Sequence, residues 1–306
     1  MHKIIVVVGP TGVGKTDLGV SIAKHLDSEI ISGDSIQIYK ELNIGSAKVT
    51  TEKMQGIEHH LIDIKSIYDS YSVMEFQQLA RLAIKQIHDK GKIPIIVGGT
   101  GLYIKAALYD YEFVEHDDSD KEFVNKHKDK TNEELHEILT KLDEKTSKEI
   151  HKNNRKRVLR ALFLASQGSI KSEVIEKQEH KPIYDIFMVG CTLERNLLYK
   201  RIDSRVLQML SNGLEEEVIE LNNMENIWQQ QGMQGIGYKE WKEYFLGNVD
   251  KNKVINDIQT HSRQFAKRQY TWFNNQMDVN WYMMDEGSIT EEIISNIEKW
   301  RKRDVE

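Results

Sequence analysis

The first stretch that can do chemistry lies at the beginning of the chain, where KIIVVVGPTGVGKT contains a complete G-x-x-x-x-G-K-T motif. Glycine lets the backbone come close to an anion, and Lys15 adds a positive charge. In loops of this type the hydroxyl that follows the lysine, here Thr16, is a ligand for Mg²⁺. The motif therefore predicts that a di- or triphosphate is bound by Gly9, Pro10, Thr11, Gly12, Val13, Gly14, Lys15 and Thr16.

A carboxylate and a second glycine-rich stretch each follow a later apolar run. Asp34 comes just after residues 29–32, and GGTG at residues 98–101 follows residues 93–97. Ligands of open α/β sheets bind at the carboxyl ends of the strands, so both stretches are expected beside the phosphate loop. A lone aspartate after a strand is often only a turn former. Beside a phosphate loop, Asp34 is also a candidate general base.

A parallel sheet is needed to bring these stretches together. Short β-branched runs bounded by glycine predict buried parallel strands, and amphipathic segments such as residues 72–90 predict the helices between them. We predict an α/β fold in which a P-loop NTPase-like parallel sheet is flanked by helices. The predicted strands are residues 4–8, 29–32, 59–64, 93–97 and 184–192, with residues 278–284 as an edge strand.

The sequence changes character between residues 113 and 182, where strands disappear and short polar helices follow one another. We predict a helical insertion domain over residues 113–182, while residues 1–112 and 183–306 form the core domain with a helical C-terminal part. Within the insertion, HKNNRKRVLR contains five cations and no acidic residue. That pattern favours contact with a polyanion over a merely solvated helix face.

Two later segments also carry cations at helical spacing. Arg201 and Arg205 lie four residues apart on one predicted helix over residues 194–221. Arginines on a helix beside a bound phosphate are typical of the lid of a phosphoryl-transfer fold, and surface ion pairing is the alternative. Residues 256–274 interleave basic with aromatic side chains, a pattern that suits a nucleic-acid surface unless the aromatic rings belong to the core.

Composition restricts the class of protein. The 306 residues carry a formal net charge of −6, so any contact with nucleic acid must use local basic patches. One cysteine, Cys191, excludes an internal disulfide framework and a multi-cysteine zinc site, and its apolar surroundings predict a buried thiol. With no signal segment and no apolar run of about 20 residues, we expect a cytoplasmic protein without membrane contact. We also expect a monomer.

Three classes of phosphate-loop protein are compatible with these features. A regulatory GTPase needs N/T-K-x-D after a buried strand, whereas the formal match at residues 140–143 lies in a charged helical segment. A small-molecule or nucleoside kinase fits an ATP-binding loop, Asp34 as base and the lid arginines. A transferase acting on RNA uses the same phosphate cradle and also accounts for the basic and aromatic segments.

Seven motifs, in order, resemble those of the bacterial tRNA dimethylallyltransferases, also called tRNA isopentenyltransferases. They run almost from end to end of the chain: GPTGVGKT, DSIQIYKELNIGSAK, HHLIDI, VGGTGLYIKAAL, IDSRVLQMLSNGLEEEV, QGIGYKEW and SRQFAKRQYTWF. Ser46 and Val49 depart from the pattern of that family, which usually has threonine and proline at these positions.

The resemblance implies that a dimethylallyl group passes from dimethylallyl diphosphate to the exocyclic N6 amine of the adenosine 3′-adjacent to the anticodon in tRNA, releasing diphosphate. The phosphate loop, Mg²⁺ on Thr16, and Arg205 would hold the leaving diphosphate. Asp34 would accept the proton of the amine. The tRNA would be bound by Asp34, Ser35, Ile36, Gln37, Thr100, Phe123, Lys156, Arg157, Arg160, Arg263, Lys267 and Arg268.

Overall fold

The computed structural model describes residues 1–111, 113, 119–166 and 181–303 of the chain. The chain divides into two compact units. Met1–Tyr109 and Pro182–Glu306 form one of them, called here the core unit, and Asp110–Lys181 forms the other, called the insertion unit. The parts of the predicted insertion at residues 114–118 and 167–180 lie outside the described residues.

A parallel sheet runs through the centre of the core unit. Across the described residues it has six strands, which stand side by side in the order β3, β2, β4, β1, β5 and β6. All of the pairings between them are parallel, so their carboxyl ends lie at one edge of the sheet. The strands are β1 (Lys3–Val8), β2 (Ile30–Gly33), β3 (His59–His60), β4 (Ile95–Gly98), β5 (Asp185–Thr192) and β6 (Asn280–Met283).

Strand β1 lies inside the sheet, and both of its faces are covered. Successive side chains of a strand point to opposite faces of the sheet. Ile4, Val6 and Val8 accordingly join the hydrophobic core on one face, while Ile5 and Val7 join the core on the other. None of the five has any exposed surface. Burying each such side chain is worth roughly 1.5–3 kcal/mol, which anchors the loop that follows β1.

Helices cover the sheet and form the insertion unit. They are α1 (Lys15–Leu26), α2 (Thr51–Met54), α3 (Val73–Asp89), α4 (Gly101–Leu108), α5 (Ser119–Lys126), α6 (Asn132–Leu142), α7 (Glu144–Glu149), α8 (Arg155–Ser166), α9 (Arg195–Ser211), α10 (Leu214–Asn222), α11 (Lys242–Phe245), α12 (Lys251–Gln276) and α13 (Ile289–Arg301). Helices α5 to α8 belong to the insertion unit. Within the described part of the chain, no helix is both long and apolar enough to cross a membrane.

Two predicted elements differ from what is observed. The strand expected over residues 59–64 covers only His59 and His60. The single helix expected over residues 194–221 is wrong, because the structure has two helices, α9 and α10, in its place. Gly213 separates them with a φ of +96°, a left-handed conformation that cannot continue a helix and that glycine adopts readily.

The insertion unit has a small hydrophobic core of its own. Leu135 and Leu139 on α6 pack with Val158 and Leu162 on α8. Between α6 and α7, the carboxylate of Asp143 accepts a hydrogen bond from the Thr146 amide at 3.0 Å and caps α7. The GTPase-like match at residues 140–143 is therefore a helix end followed by a cap, as its charged surroundings indicated.

Candidate active site

The carboxyl ends of three neighbouring strands bring the predicted site loops together. Gly9 follows β1, Asp34 follows β2 and Thr100 comes two residues after β4. Gly33 and Gly98 face each other across the β2–β4 pairing. The amide of Thr100 donates to the Gly33 carbonyl at 3.2 Å, which holds the loop after β4 beside the loop after β2.

The phosphate loop leaves a row of backbone donors without partners. The glycines at 9, 12 and 14 have φ values of +143°, +82° and +99°, conformations that favour glycine. The amides of residues 12–16 donate to no acceptor among the described residues. The N-terminus of α1 adds partial positive charge at the same place. Together these features would favour the binding of an anion at this loop.

Two cations contact the phosphate loop. The Lys15 ammonium donates to the Pro10 carbonyl at 2.8 Å, and Nη1 of Arg205, on α9, donates to the Thr11 hydroxyl at 2.9 Å. Burial lowers the pKa of Lys15 to about 8, Arg205 adds to the lowering, and Asp34 opposes it. Burial also lowers the pKa of Arg205, and the Asp34 carboxylate opposes this lowering. A polyanion would relieve the cost of holding both charges there.

The carboxylate of Asp34 is oriented by its own turn. Oδ1 accepts hydrogen bonds from the amides of Ile36 and Gln37 at 2.7 and 3.2 Å. Oδ2 has no hydrogen-bond partner among the residues that the structure describes. One oxygen thus fixes the side chain, and the other is available to a proton.

A cavity of about 430 Å³ lies at this edge of the core unit. Its polar lining comes from Thr11, Asp34, Ser35, Ser46, Thr100, Arg205, Gln231, Gln234, Lys239, Ser262 and Arg268. Its apolar lining comes from Ile36, Ala47, Tyr103, Ile202, Val206, Met209, Ile236, Ile258 and Phe265, with three glycines between them. The cavity can therefore hold a molecule with a charged end and an apolar end.

The cavity gathers part of the predicted site. It is lined by Thr11, Asp34, Ser35, Ile36, Thr100, Arg205 and Arg268. The side-chain amide of Gln37 instead donates to the carbonyls of Ser46 and Ala47 at 3.4 and 3.3 Å. Arg201 is exposed and does not line the cavity, although it shares α9 with Arg205.

Comparison with known proteins assigns this chain to a family. Residues 37–276 match the IPP transferase family. The chain is also 46% identical to the tRNA dimethylallyltransferase of Bacillus cytotoxicus, over 97% of this chain and 95% of that protein. The chain belongs to the IPP transferase family. The resemblance predicted from the seven motifs is thereby confirmed.

Solved structures in the IPP transferase family have the same fold. The tRNA isopentenylpyrophosphate transferase of Bacillus halodurans is 40% identical, with a TM-score of 0.74 over 98% of this chain and 97% of that chain. A eukaryotic dimethylallyltransferase, described as acting on tRNA, is 26% identical with a TM-score of 0.82, over 97% of this chain and 78% of that chain. The predicted P-loop NTPase-like fold is confirmed.

The three basic residues predicted on α12 differ from one another in their surroundings. Arg263 forms an ion pair with Asp203 on α9 and donates to the Thr260 hydroxyl at 3.0 Å, so its charge already holds two helices together. Lys267 and Arg268 are exposed, and the Arg268 guanidinium lies 5.8 Å from the ring centre of Phe265. Arg268 and Lys267 are therefore the cations of this segment that a polyanion can reach.

The cations of the basic run in the insertion unit, residues 151–160, also include some that bind other residues and some that are exposed. Arg155 donates to four acceptors, among them the carbonyls of His127 and Lys128, and thereby holds the turn that follows α5. Lys156 and Arg157 are exposed and have no partner within the described ranges. The predicted tRNA-binding residues Phe123 and Arg160 instead lie against Phe163, at ring-centre distances of 5.6 and 5.5 Å.

A carboxylate that the sequence did not single out supports one wall of the cavity. Glu217, on α10, accepts hydrogen bonds from the amides of Asn43, Ile44 and Gly45 at 2.8–3.1 Å. It also accepts one from the Tyr238 hydroxyl at 2.7 Å. The tyrosine of the motif QGIGYKEW, Tyr238, was the sequence signal for this contact. It is fully buried, and a buried hydroxyl needs a hydrogen-bond partner.

Two glycines of the second glycine-rich stretch, Gly99 and Gly101, leave room for helix α12, whereas a Cβ on Gly98 would lie 2.4 Å from the Gly33 carbonyl oxygen. A Cβ on Gly99 would lie 2.1 Å from Nε2 of Gln269, and one on Gly101 would lie 2.1 Å from the ring of Trp272. Both side chains belong to α12. Close packing against this helix accounts for both of these glycines.

The residues at the phosphate loop fit a Mg²⁺ ion that is shared with a ligand. The Thr16 hydroxyl forms no hydrogen bond with any residue described, and Mg²⁺ keeps several water and phosphate ligands. Among the described residues, Glu29, Glu58 and His60 form the one three-residue group of metal-binding type. There the Lys90 ammonium lies 2.8 Å from both oxygens of Glu29, so a protein cation already neutralises that carboxylate.

Proposed function

We propose that this chain transfers the dimethylallyl group from dimethylallyl diphosphate to the N6 amine of the adenosine 3′-adjacent to the anticodon in tRNA, releasing diphosphate. The single observation that carries the proposal is the composition of the cavity. An unpaired carboxylate oxygen of Asp34 and a guanidinium bound to the phosphate loop line a space that also has an apolar wall. A base, an anion site and a lipid-like pocket are what this reaction needs.

The leaving diphosphate is held by the phosphate loop. As the allylic carbon–oxygen bond breaks, negative charge grows on the diphosphate oxygens. The free amides of residues 12–16, the Lys15 ammonium and the Arg205 guanidinium are donors already in place for that charge. Donors that need no reorganisation stabilise the transition state most effectively. The Thr16 hydroxyl would be a ligand of Mg²⁺, and the ion, when bound, would add positive charge near the diphosphate.

Asp34 acts as the general base. The lone pair of an adenine amine is delocalised into the ring, so the amine attacks carbon well only if its proton can leave. Oδ2 of Asp34 takes that proton while Oδ1 stays bound to the turn amides. The nitrogen–carbon bond forms as the carbon–oxygen bond breaks, and the proton ends on Asp34.

The prenyl tail lies against the apolar lining of the cavity. Val206 and Met209 on α9 and Ile258 and Phe265 on α12 supply aliphatic and aromatic surface there. Burying a five-carbon chain is worth about 0.8 kcal/mol for each methylene-sized group, which is enough to retain it during the reaction. The sequence alone did not indicate which side chains form this pocket.

The tRNA contacts several separate groups of residues. The target adenosine must leave its stack to reach the cavity, where Ser35, Ile36 and Thr100 meet it, with Gln37 holding the adjoining loop. The exposed cations Lys267 and Arg268 meet phosphates, and Lys156 and Arg157 do so on the insertion unit. We also propose that the active species is a monomer.

Incubation with tRNA and radiolabelled dimethylallyl diphosphate tests the proposal. We expect label to appear on adenosine next to the anticodon, together with one equivalent of released diphosphate. A parallel reaction with labelled ATP and a panel of nucleosides tests the kinase alternative, which uses Asp34 on a hydroxyl. Phosphate transfer without prenyl transfer would replace our proposal by that alternative. Light scattering in the active solution measures the mass of the active species.

A further inference from the structure

One buried amide side chain joins two loops of the cavity, and no step of the proposed reaction uses it directly. Gln269 lies on α12 and is 6% exposed. Its Oε1 accepts a hydrogen bond from the Thr11 amide at 2.9 Å, and its Nε2 donates to the Gly99 carbonyl at 2.9 Å. Both ends of the side chain are thus used within the protein.

The orientation of this amide is determined by its partners. A backbone N–H can only donate and a carbonyl can only accept. Oε1 must therefore face Thr11, and Nε2 must face Gly99. A flipped amide would place two donors together and two acceptors together. The side chain is consequently a specific bridge, with its oxygen and its nitrogen each bonded to the protein backbone.

The bridge also restricts the residues around it. Gly99 has no room for a side chain, because a Cβ would lie 2.1 Å from Nε2 of Gln269. On the other side, Thr11 holds Arg205 through its hydroxyl while its amide is held by Gln269. Helix α9, the phosphate loop, the loop after β4 and helix α12 therefore form one connected network of hydrogen bonds.

The bridge selects which amides of the phosphate loop can bind an anion. The Thr11 amide is occupied by Gln269, whereas the amides of residues 12–16 have no acceptor in the described protein. An anion on the loop is then restricted to the second half of the motif. Thr11, in the first half of the motif, lines the cavity together with Thr100 and Arg205, and Gln269 holds its amide in place.

We propose that Gln269 is a positioning residue that holds the phosphate loop and the Gly99–Thr100 loop at the separation needed for the diphosphate and the target base. The proposal rests on the proposed function for the identity of the anion. The bridge requires a side-chain amide, whose nitrogen donates and whose oxygen accepts. Only asparagine and glutamine carry this group, and asparagine is one carbon shorter.

Two substitutions separate this role from simple packing. Gln269→Met keeps the shape of the side chain and removes both hydrogen bonds. Gln269→Glu keeps an acceptor for Thr11 but presents a second acceptor to the Gly99 carbonyl. Gln264→Met is the matched control, because Gln264 is exposed on the same helix and does not line the cavity. Circular dichroism checks that each variant is folded.

Calorimetry with inorganic pyrophosphate and Mg²⁺ provides the first measurement. We expect both Gln269 variants to bind pyrophosphate about tenfold more weakly than the parent protein, and the control to bind it equally well. We also expect kcat to fall while the KM for tRNA stays unchanged, a split that general loosening of the fold would not produce. Unchanged pyrophosphate affinity and kcat in a folded Gln269→Met protein would overturn the proposal.

Amide hydrogen exchange of the unsubstituted protein provides a second measurement that does not depend on any variant folding. We expect the Thr11 amide to exchange slowly without ligand, and the amides of residues 12–16 to become protected only when pyrophosphate is added. Fast exchange at Thr11 would refute the bridge. If pyrophosphate binds as expected but no prenyl transfer is found, the proposed function fails while the bridge stands.

Discussion

Arg205 and Thr11 are 194 positions apart in the sequence, and Nη1 of the arginine lies 2.9 Å from Oγ1 of the threonine. The contact places the one guanidinium of α9 that lines the cavity directly on the phosphate loop. Arg201, one turn earlier on the same helix, remains exposed. The two arginines therefore make a matched pair for a test of transition-state stabilisation.

Arg205→Ala should lower kcat about 10²–10³-fold, the usual cost of removing one donor to a developing anion. Arg205→Lys keeps the charge but loses the planar donor fork, so it should recover only part of the rate. Arg201→Ala should remain within about twofold of the parent protein, because its side chain lies outside the cavity. Steady-state prenyl transfer measures all three. Equal losses at both positions would refute this role of Arg205.

Asp34→Asn tests the general base with little disturbance to the fold. The asparagine oxygen can still accept from the amides of Ile36 and Gln37, while the ability to take a proton is lost. We expect kcat to fall about 10²–10⁴-fold, with the dissociation constant for tRNA nearly unchanged. Rapid-quench kinetics measures the turnover rate, and filter binding measures the dissociation constant for tRNA. An Asp34→Asn protein with most of its turnover rate would exclude Asp34 as the base.

The protonation of Lys15 should respond to the diphosphate. Its pKa is lowered to about 8, mainly by burial, so the ammonium loses its proton as the pH rises through that value. A bound polyanion favours the charged form and raises the pKa, so binding near pH 8 should take up a proton. Affinity should correspondingly decline above pH 8. Calorimetry of pyrophosphate binding in two buffers of different ionisation enthalpy measures the uptake.

Lys15→Arg is the control for that measurement. Arginine stays charged over the whole range, so the variant loses the share of proton uptake that belongs to Lys15. The titration of pyrophosphate itself is the same in both proteins and cancels in the comparison. Identical proton uptake by the two proteins would show that the pKa of Lys15 does not move on binding.

Glu217→Ala should destabilise the core unit. The substitution leaves the amides of Asn43, Ile44 and Gly45 without their acceptor, at a cost of about 2–4 kcal/mol in unfolding free energy. Glu220→Ala, an exposed neighbour on α10, should cost less than about 0.5 kcal/mol. Urea unfolding measures the free energy of unfolding of both variants. Similar midpoints for the two variants would argue against this role of Glu217.

Replacing both Lys156 and Arg157 by alanine should weaken tRNA binding and reduce its salt dependence. Removing a cation that binds one phosphate lowers the slope of log affinity against log salt by nearly one, so we expect a decrease of about 1–2. Lys148→Ala is the control, because Lys148 already pairs with Glu144 at 2.8 Å. Binding measured from low to moderate salt provides the slopes. An unchanged slope for the double variant would place the tRNA elsewhere.

The strands that matter for the site were predictable because their signals are local. Residues 4–8 form a continuous β-branched run, and β1, β2 and β4 lie close to where the sequence placed them. The reciprocal capping box of Thr131 and Glu134 at the start of α6 is a signal of the same local kind, because the two residues are three positions apart. Errors arose where one residue decides the outcome, as Gly213 does between α9 and α10.

By itself, the sequence determined the phosphate loop, the parallel sheet, the family and the candidate base Asp34, since each depends on residue types at short spacing. Only the tertiary structure decided that Arg205 and not Arg201 reaches the loop, and that Arg263 is engaged by Asp203. It also decided that Gln269 joins two loops from a distant helix. These relationships depend on how each helix is rotated about its axis when it packs, and short-range sequence patterns do not record that rotation.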